Sequence, residues 1–163
     1  MTILEESGDW SPFTARAQAI ASAAVAVARN PRCARARGAE ACVVLADDAL
    51  LRSLNRTYRG KDAPTNVLSF PFQDAPGAAE SREGAGAAEP RHLGDLVLAA
   101  ETLRGEAAEQ GIPPAHHLQH LVVHGLLHLL GFDHDTEAQA RAMEGLEAQI
   151  LATLGVPDPY AAA

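Results

Sequence analysis

Three histidines in the second half of the chain have a spacing that could hold a metal ion. His124 and His128 are four residues apart, so on a helix both side chains would lie on one face. A helix continued to His134 would carry that ring roughly 120° around the axis from His128. Gly131 supplies the break, because glycine accepts the left-handed conformation with which helices often end. The spacing therefore predicts that the chain turns back after Gly131 and that the three imidazoles converge on one ion.

Three protein ligands leave one position of a tetrahedral site open, which is typical of catalytic rather than structural zinc. Such a zinc ion lowers the pKa of its water to about 7, so the site could supply a nucleophile at neutral pH. His117 and His120 lie on the same helical stripe. We interpret these two as groups that line the cleft or support a ligand. Asp133 either bonds the free ring nitrogen of a ligand or caps the turn, and the sequence leaves both roles open.

The same stretch matches the zinc-protease signature H-E-x-x-H-x-x-G-x-x-H with one departure. The glutamate that serves as general base in that signature is replaced by Gly125. A zinc-dependent peptidase is therefore one alternative function. It would need a carboxylate from elsewhere in the chain to act as the base.

A second group of candidates lies on a helix predicted at 48–59. Arg52, Arg56 and Arg59 fall at positions i, i+4 and i+7, so they share one face, and Lys61 follows directly. Four of the chain's 13 basic residues thus lie within ten positions. The spacing alone favours a salt-bridged surface, and a phosphate-binding patch is the other interpretation.

Two long segments and one short one resemble the YbeY family of bacterial endoribonucleases. The histidine segment reads His124-Gly-Leu-Leu-His128-Leu-Leu-Gly131-Phe-Asp133-His134. The second segment reads Leu54-Asn55-x-x-Tyr58-Arg59-x-Lys61-Asp62-x-Pro64-Thr65-Asn66-Val67-Leu68-Ser69-Phe70-Pro71. The short match is the strand that contains Leu93-Gly94-Asp95. The resemblance covers residues 40–160.

The resemblance implies a metal-dependent, single-strand-specific endoribonuclease. Its expected roles are 16S rRNA 3′-end maturation, rRNA processing and ribosome quality control. The implied cofactor is one Zn²⁺, or another divalent metal, held by His124, His128 and His134. The implied partners are single-stranded rRNA, the small ribosomal subunit and an Era-like GTPase.

The resemblance also raises Arg59 from a surface charge to a catalytic candidate beside His124. Arginine binds phosphate through a planar fork of donors, so Arg59 fits a transition-state role, and Arg56 and Lys61 are expected to bind substrate with it. The net charge of −8 argues against non-specific nucleic-acid binding, so any RNA contact must be local. A non-catalytic ribosome-assembly factor is the other alternative, and its structural metal would normally have four protein ligands.

The resemblance implies an α+β, zinc-metalloprotease-like fold, with the metal site at the end of a central helix. We expect a mixed sheet of about four strands packed with about five helices, in one domain over residues 1–163. Residues 73–91 are rich in Ala, Gly, Glu and Pro and are predicted to be a mobile loop. Asp135 is interpreted as the N-cap of the last helix. The predicted strands are 2–6, 41–46, 67–72 and 92–98, and the predicted helices are 11–29, 48–59, 99–110, 114–130 and 136–154.

The N-terminal residues show no basic region followed by an apolar core, so no signal peptide is expected. No apolar run reaches membrane-spanning length. Cys42 lies in an apolar run and is predicted to be a reduced, buried residue. These features lead us to expect a cytoplasmic protein with no membrane partner.

Overall fold

The computed structural model describes residues 1–72 and 91–161, which form an α+β fold. The predicted mobile loop at 73–91 lies outside the described residues except for Arg91. The four strands are β1 (Thr2–Glu5), β2 (Glu40–Ala46), β3 (Val67–Pro71) and β4 (His92–Ala99). The five α-helices are α1 (Arg16–Arg29), α2 (Asp48–Arg59), α3 (Ala100–Gln110), α4 (Pro114–Leu129) and α5 (Glu137–Thr153), and a 3-10 helix spans Pro31–Ala36.

The strands form one mixed sheet in the order β1-β2-β4-β3. The pairs β1–β2 and β2–β4 are parallel, whereas β3 lies antiparallel to β4 at the edge. Pro71 ends β3, which suits an edge strand because proline has no N–H to donate to a neighbour. The predicted α+β class and the four-stranded mixed sheet are confirmed, and the structure adds the 3-10 helix to the predicted helices.

The sheet is covered on both faces. Side chains such as Val43 and Leu96 point into the main core with α1, α4 and α5, while Leu68 and Val97 on the opposite face pack with Leu51 of α2. Strands buried on both faces need apolar residues at successive positions, which explains the continuous apolar runs of β2 and β4. This arrangement places α2 and α4 on opposite faces of the same sheet.

Helix α4 is central, because it packs against α1, α3, α5, β3 and β4. A Cβ atom added at Gly125 would lie 2.6 Å from Cδ2 of Leu96, so the helix backbone lies close against β4. Position 125 therefore faces the sheet. A glutamate here, as in the zinc-protease signature, would require Leu96 to move.

Helix α4 ends in a Schellman motif. Gly131 has a φ of 99° and donates its N–H to the carbonyl of His128 at 3.0 Å. The N–H of Phe132 donates to the carbonyl of Leu127, also at 3.0 Å. These two bonds satisfy carbonyls that the helix end would leave unpaired and reverse the chain direction. The predicted break at Gly131 is confirmed.

The 3-10 helix supports this turn from outside. A guanidinium nitrogen of Arg35 donates to the carbonyl of Leu130 at 3.2 Å. The guanidinium carbon of Arg32 lies 6.0 Å from the centroid of the Phe132 ring, within the range of a cation–π contact. Both arginines therefore stabilise the segment that joins α4 to His134.

The first helix begins later than predicted, because its N-cap is Ala15 rather than the expected Ser11. Ser11 instead donates its backbone N–H to the Asp9 side chain at 3.1 Å, in a turn. Trp10 and Phe13 are buried, with ring centroids 5.0 Å apart. Burying both aromatic rings holds this segment in turns, and that long-range packing overrides the local helix signal.

The last helix is also capped differently from the prediction. Thr136, not Asp135, is the N-cap of α5, and its hydroxyl accepts the N–H of Gln139 at 3.1 Å. The Gln139 side chain in turn accepts the N–H of Thr136 at 3.2 Å, which completes a capping box. The two candidates are adjacent, and only Thr136 is followed by a suitable partner three residues later.

Two further expectations concern the cysteines and the membrane. Both Cys33 and Cys42 are free, but Cys42 is only half-buried and Cys33 is the buried one. Among residues 1–72 and 91–161, no helix combines the length and apolar character that crossing a membrane requires.

The Schellman motif yields a stability prediction. Gly131→Ala should lower the free energy of unfolding by roughly 1–2 kcal/mol, because a side chain is strained at positive φ. The strain is a backbone effect, since an added Cβ would meet nothing within 4 Å. Gly145, inside α5, is the matched control because its added Cβ also meets nothing. Gly145→Ala should raise stability by roughly 0.5–1 kcal/mol, and urea denaturation measures both. If both substitutions changed the free energy of unfolding equally and in the same direction, the proposed strain at position 131 would be wrong.

Candidate functional site

The structure brings the three predicted histidines together. The Nε2 atoms of His124 and His128 lie 3.1 Å apart, and their ring centroids are 4.6 Å apart. The turn after α4 returns His134 to this pair, with its ring centroid 4.9 Å from that of His128 and 6.0 Å from that of His124. Helix α4 carries the rings of His124 and His128 on one face, and the chain reversal at the Schellman motif brings the ring of His134 to them.

The histidine pair has the chemistry of a metal site. Two ligand nitrogens of tetrahedral zinc lie roughly 3.4 Å apart for Zn–N bonds of ~2.1 Å, and the observed Nε2–Nε2 distance is 3.1 Å. Burial and the neighbouring histidines, His124 and then His134, lower the pKa of His128. A lowered pKa favours the neutral imidazole, which is the form that binds metals. The residues present therefore fit a divalent ion such as zinc.

Asp133 adds a carboxylate to this group. Potential ligand atoms of His128, Asp133 and His134 all lie within 4.8 Å of one another. Asp133 Oδ1 also accepts the backbone N–H of His134 at 2.8 Å and lies 3.6 Å from Nδ1 of that ring. That backbone hydrogen bond is the leading cause of the lowered pKa of Asp133. Of the two roles that the sequence left open, the geometry shows the capping of the turn, while the 3.6 Å separation from the His134 ring is too long for a hydrogen bond.

Glu147 of α5 is a site residue that the sequence analysis missed. Its side chain is wholly buried and bonds Nδ1 of His124 and the hydroxyl of Tyr160, with Nε2 of His120 at 3.4 Å. Burial alone would raise the pKa of this carboxyl, but the hydrogen bonds to His120, His124 and Tyr160 outweigh it and lower the pKa to about 2. A sequence signal existed, because Glu147 lies on the same helical face as the buried Met143 and Ile150.

The other two histidines of the stripe differ in environment. His120 Nε2 lies 3.2 Å from the Tyr160 hydroxyl and beside Glu147, so His120 contacts the carboxylate that bonds a candidate ligand. His117 is buried away from the cavity, where its Nε2 lies 3.0 Å from Oε2 of Glu106. Burial lowers the pKa of His117 against the opposing effect of Glu106.

Arg59 lies at the same cavity as the three histidines. The cavity has a volume of about 370 Å³. Its lining comprises Arg59, Thr65, Asn66, Val67, Ser69, Pro71, His124, His128, Gly131, Phe132, Asp133 and His134. Arg59 is the last residue of α2, which ends at Gly60 with a φ of 69°. Arg56 and Lys61 are exposed and do not belong to this lining.

Two asparagines, the buried Asn55 and the half-buried Asn66, bond the wall of the cavity between Arg59 and β3. Asn55 is 4% exposed and donates from its side chain to the carbonyl of Ala63 at 2.9 Å. The side chain of Asn66 donates to Oε2 of Glu106 at 3.2 Å, the same oxygen that lies beside His117. No local pattern marks Glu106, since its contact with Asn66 spans 40 positions of the chain.

The fold and this cavity define an α+β protein in which an arginine from one face of a sheet meets a histidine cluster from the other. The family model described as endoribonuclease YbeY matches residues 6–155. The chain belongs to the YbeY family, as the two sequence segments predicted.

Curated relatives support this assignment over nearly the whole chain. The endoribonuclease YbeY of Parvibaculum lavamentivorans is 48% identical over 161 residues, which cover 98% of this chain and 84% of the relative. That of Azorhizobium caulinodans is 48% identical over 159 residues, covering 98% and 94%. The solution structure of TM1509 from Thermotoga maritima has a TM-score of 0.50 at 18% identity and covers 99% of each chain, which supports the fold alone.

The converging rings yield a metal-content prediction. His124→Ala, His128→Ala and His134→Ala should each abolish binding of about one zinc ion per chain, because each removes one of three imidazole ligands. Elemental analysis after zinc loading and desalting measures this content. His117→Ala should keep the metal while lowering the melting temperature, since its buried ring bonds Glu106. Full zinc content in all three ligand variants would contradict the site.

Asp133→Asn separates the two possible ligand sets. The amide oxygen can still accept the His134 N–H, so the turn should persist. Zinc content should remain if the three histidines are the ligands. Its loss in this variant, with His124→Ala retaining metal, would instead identify the His128–Asp133–His134 set.

Proposed function

We propose that this protein is a metal-dependent, single-strand-specific endoribonuclease that acts in 16S rRNA 3′-end maturation, rRNA processing and ribosome quality control. The observation that carries the proposal is the shared cavity, which is lined by Arg59 together with His124, His128 and His134. Membership of the YbeY family supports the nuclease activity and RNA as the substrate. The proposed location is the cytoplasm, and the fold is proposed to be zinc-metalloprotease-like.

The residues of the cavity would have separate roles in the cleavage of a phosphodiester. His124, His128 and His134 would hold a zinc ion, which would supply Lewis acidity at the scissile phosphate. Arg59 would donate hydrogen bonds to the phosphate oxygens and stabilise the charge that develops there. The wall at Thr65 and Asn66, where the Asn66 side chain bonds Glu106, would keep the substrate between these groups.

Arg56 and Lys61 are proposed to bind neighbouring phosphates of the substrate. Both are exposed on the segment that carries Arg59. Because the chain has a net charge of −8, attraction of RNA must come from such a local patch rather than from the whole surface. The proposed wider partners, the small ribosomal subunit and an Era-like GTPase, rest on the family resemblance.

The structure offers a physical argument against the peptidase alternative. Zinc proteases carry the glutamate that acts as general base at the position of Gly125. In this protein that position faces Leu96 of β4 instead of the cavity. Incubating zinc-loaded protein with casein and with single-stranded RNA separates the two activities. RNA cleavage without casein cleavage supports the proposal, whereas casein cleavage alone supports a peptidase. A fourth protein ligand and no RNA cleavage would support the assembly-factor alternative.

Arg59→Ala should lower kcat on single-stranded RNA by roughly 10²–10³-fold, because it removes a donor that acts on transition-state charge. Zinc content should stay at the wild-type value, since Arg59 is not a ligand. Arg59→Lys should recover little activity, because an ammonium group cannot reproduce the fork of donors. Single-turnover assays with matched metal loading measure these effects.

Arg52→Ala is the matched control on the same helix. Arg52 pairs with the exposed Asp62 through two hydrogen bonds of 2.7 and 3.0 Å and does not line the cavity. Its removal should leave kcat close to the wild-type value. If Arg59→Ala also cleaved RNA at the wild-type rate, Arg59 would be a surface charge and the proposed mechanism would fail.

A further inference from the structure

The C-terminal segment after α5 reaches back to the histidine cluster. The hydroxyl of Tyr160 donates to the carboxylate of Glu147, and its ring lies edge-on to His120 with centroids 5.5 Å apart. The backbone N–H of Tyr160 donates to the Asp158 side chain at 2.8 Å, and Val156 is buried in the main core. The segment that carries Tyr160 is therefore anchored by a turn and by the buried Val156, independently of the Tyr160 hydroxyl.

The two oxygens of Glu147 have different partners. Oε1 bonds Nδ1 of His124, while Oε2 accepts the hydroxyl of Tyr160 and lies 3.4 Å from Nε2 of His120. An ionised carboxylate only accepts hydrogen bonds, so Nδ1 of His124 must carry a proton. A neutral imidazole has one N–H, which leaves a lone pair on Nε2. That atom faces Nε2 of His128 at 3.1 Å.

We propose that Glu147 and Tyr160 are positioning residues for His124, which they hold in the Nδ1–H tautomer with Nε2 directed into the metal site. Tyr160 fixes the carboxylate, and the carboxylate fixes both the orientation and the tautomer of the ring. A carboxylate on the outer nitrogen also makes a histidine ligand more basic. The consequence for metal affinity rests on the proposed function, whereas the tautomer does not.

A purely structural role of Glu147 would predict different results. If Glu147 only tied α5 to α4, removing the Tyr160 hydroxyl would leave the His124 ring unaffected. The tautomer and the metal affinity are therefore the readouts that separate positioning from structure. Glu144→Gln is the matched control, because it removes one carboxylate charge from an exposed position of the same helix.

The first test is long-range ¹⁵N–¹H NMR of the histidine rings in the metal-free protein near neutral pH. Wild type and Glu144→Gln should show His124 as the Nδ1–H tautomer. Glu147→Gln should shift His124 towards the Nε2–H tautomer, because the new amide can donate to Nδ1. Tyr160→Phe should keep the Nδ1–H tautomer as the major form and add a minor Nε2–H form, because the carboxylate still accepts from Nδ1 but is held less firmly.

The second test is zinc affinity, measured by competition with a chromogenic chelator. Glu147→Gln should raise the Kd for zinc by about 10–100-fold, as expected for loss of a carboxylate behind a histidine ligand. Tyr160→Phe should raise the Kd by roughly tenfold, and Glu144→Gln should leave it unchanged. Circular dichroism establishes that each variant is folded. If the Glu147→Gln variant does not fold, because this side chain is buried, Tyr160→Phe alone provides the test, since it removes only one hydroxyl group.

Wild-type tautomer and wild-type zinc affinity in folded Tyr160→Phe and Glu147→Gln would overturn the positioning role. Failure of the proposed function would look different. In that case the wild-type protein itself would bind no zinc or cleave no RNA, while the NMR experiment would still report the tautomer of His124.

Discussion

The left-handed turn at Gly131 is the constraint on which the candidate site depends. A straight helix can direct His124 and His128 to one point, but it must carry His134 away from them. The turn reverses the chain at the cost of a positive φ of 99°, which glycine tolerates without strain. Hydrogen bonds to the carbonyls of Leu127 and His128 stabilise it, and Arg35 satisfies the carbonyl of Leu130. Local backbone chemistry therefore sets the geometry of the histidine cluster.

Packing of α4 on the sheet then decides what the cluster faces. Gly125 lets the helix backbone approach Leu96 of β4 closely, which brings the end of α4 beside the edge strand β3. The same strand separates α4 from α2 on the other face of the sheet. Arg59, as the last residue of α2, is placed where its side chain reaches the cavity around that edge. The site thus joins elements that a sheet would otherwise keep apart.

A buried carboxylate completes the electrostatics of the cluster. Glu147 is wholly excluded from solvent, which is unfavourable for a charge unless hydrogen bonds compensate for it. The hydrogen bonds of His120, His124 and Tyr160 provide that compensation, and they come from α4 and from the C-terminal segment. The network links the stability of the α4–α5 packing to the protonation of a candidate ligand.

The sequence by itself determined the features that depend on local periodicity and backbone chemistry. Histidines four positions apart and the glycine break predicted α4 and its end, and short apolar runs predicted individual strands. The motif segments identified the family, and that resemblance implied the mixed four-stranded sheet. Tertiary structure decided the rest. The start of α1 moved to Arg16 because Trp10 and Phe13 are buried by distant contacts. Glu147 contacts His124 across 23 positions of the chain, and Glu106 contacts Asn66 across 40. Tertiary packing sets these pairings, so the period of α5 could indicate that Glu147 is buried but not which residues it contacts.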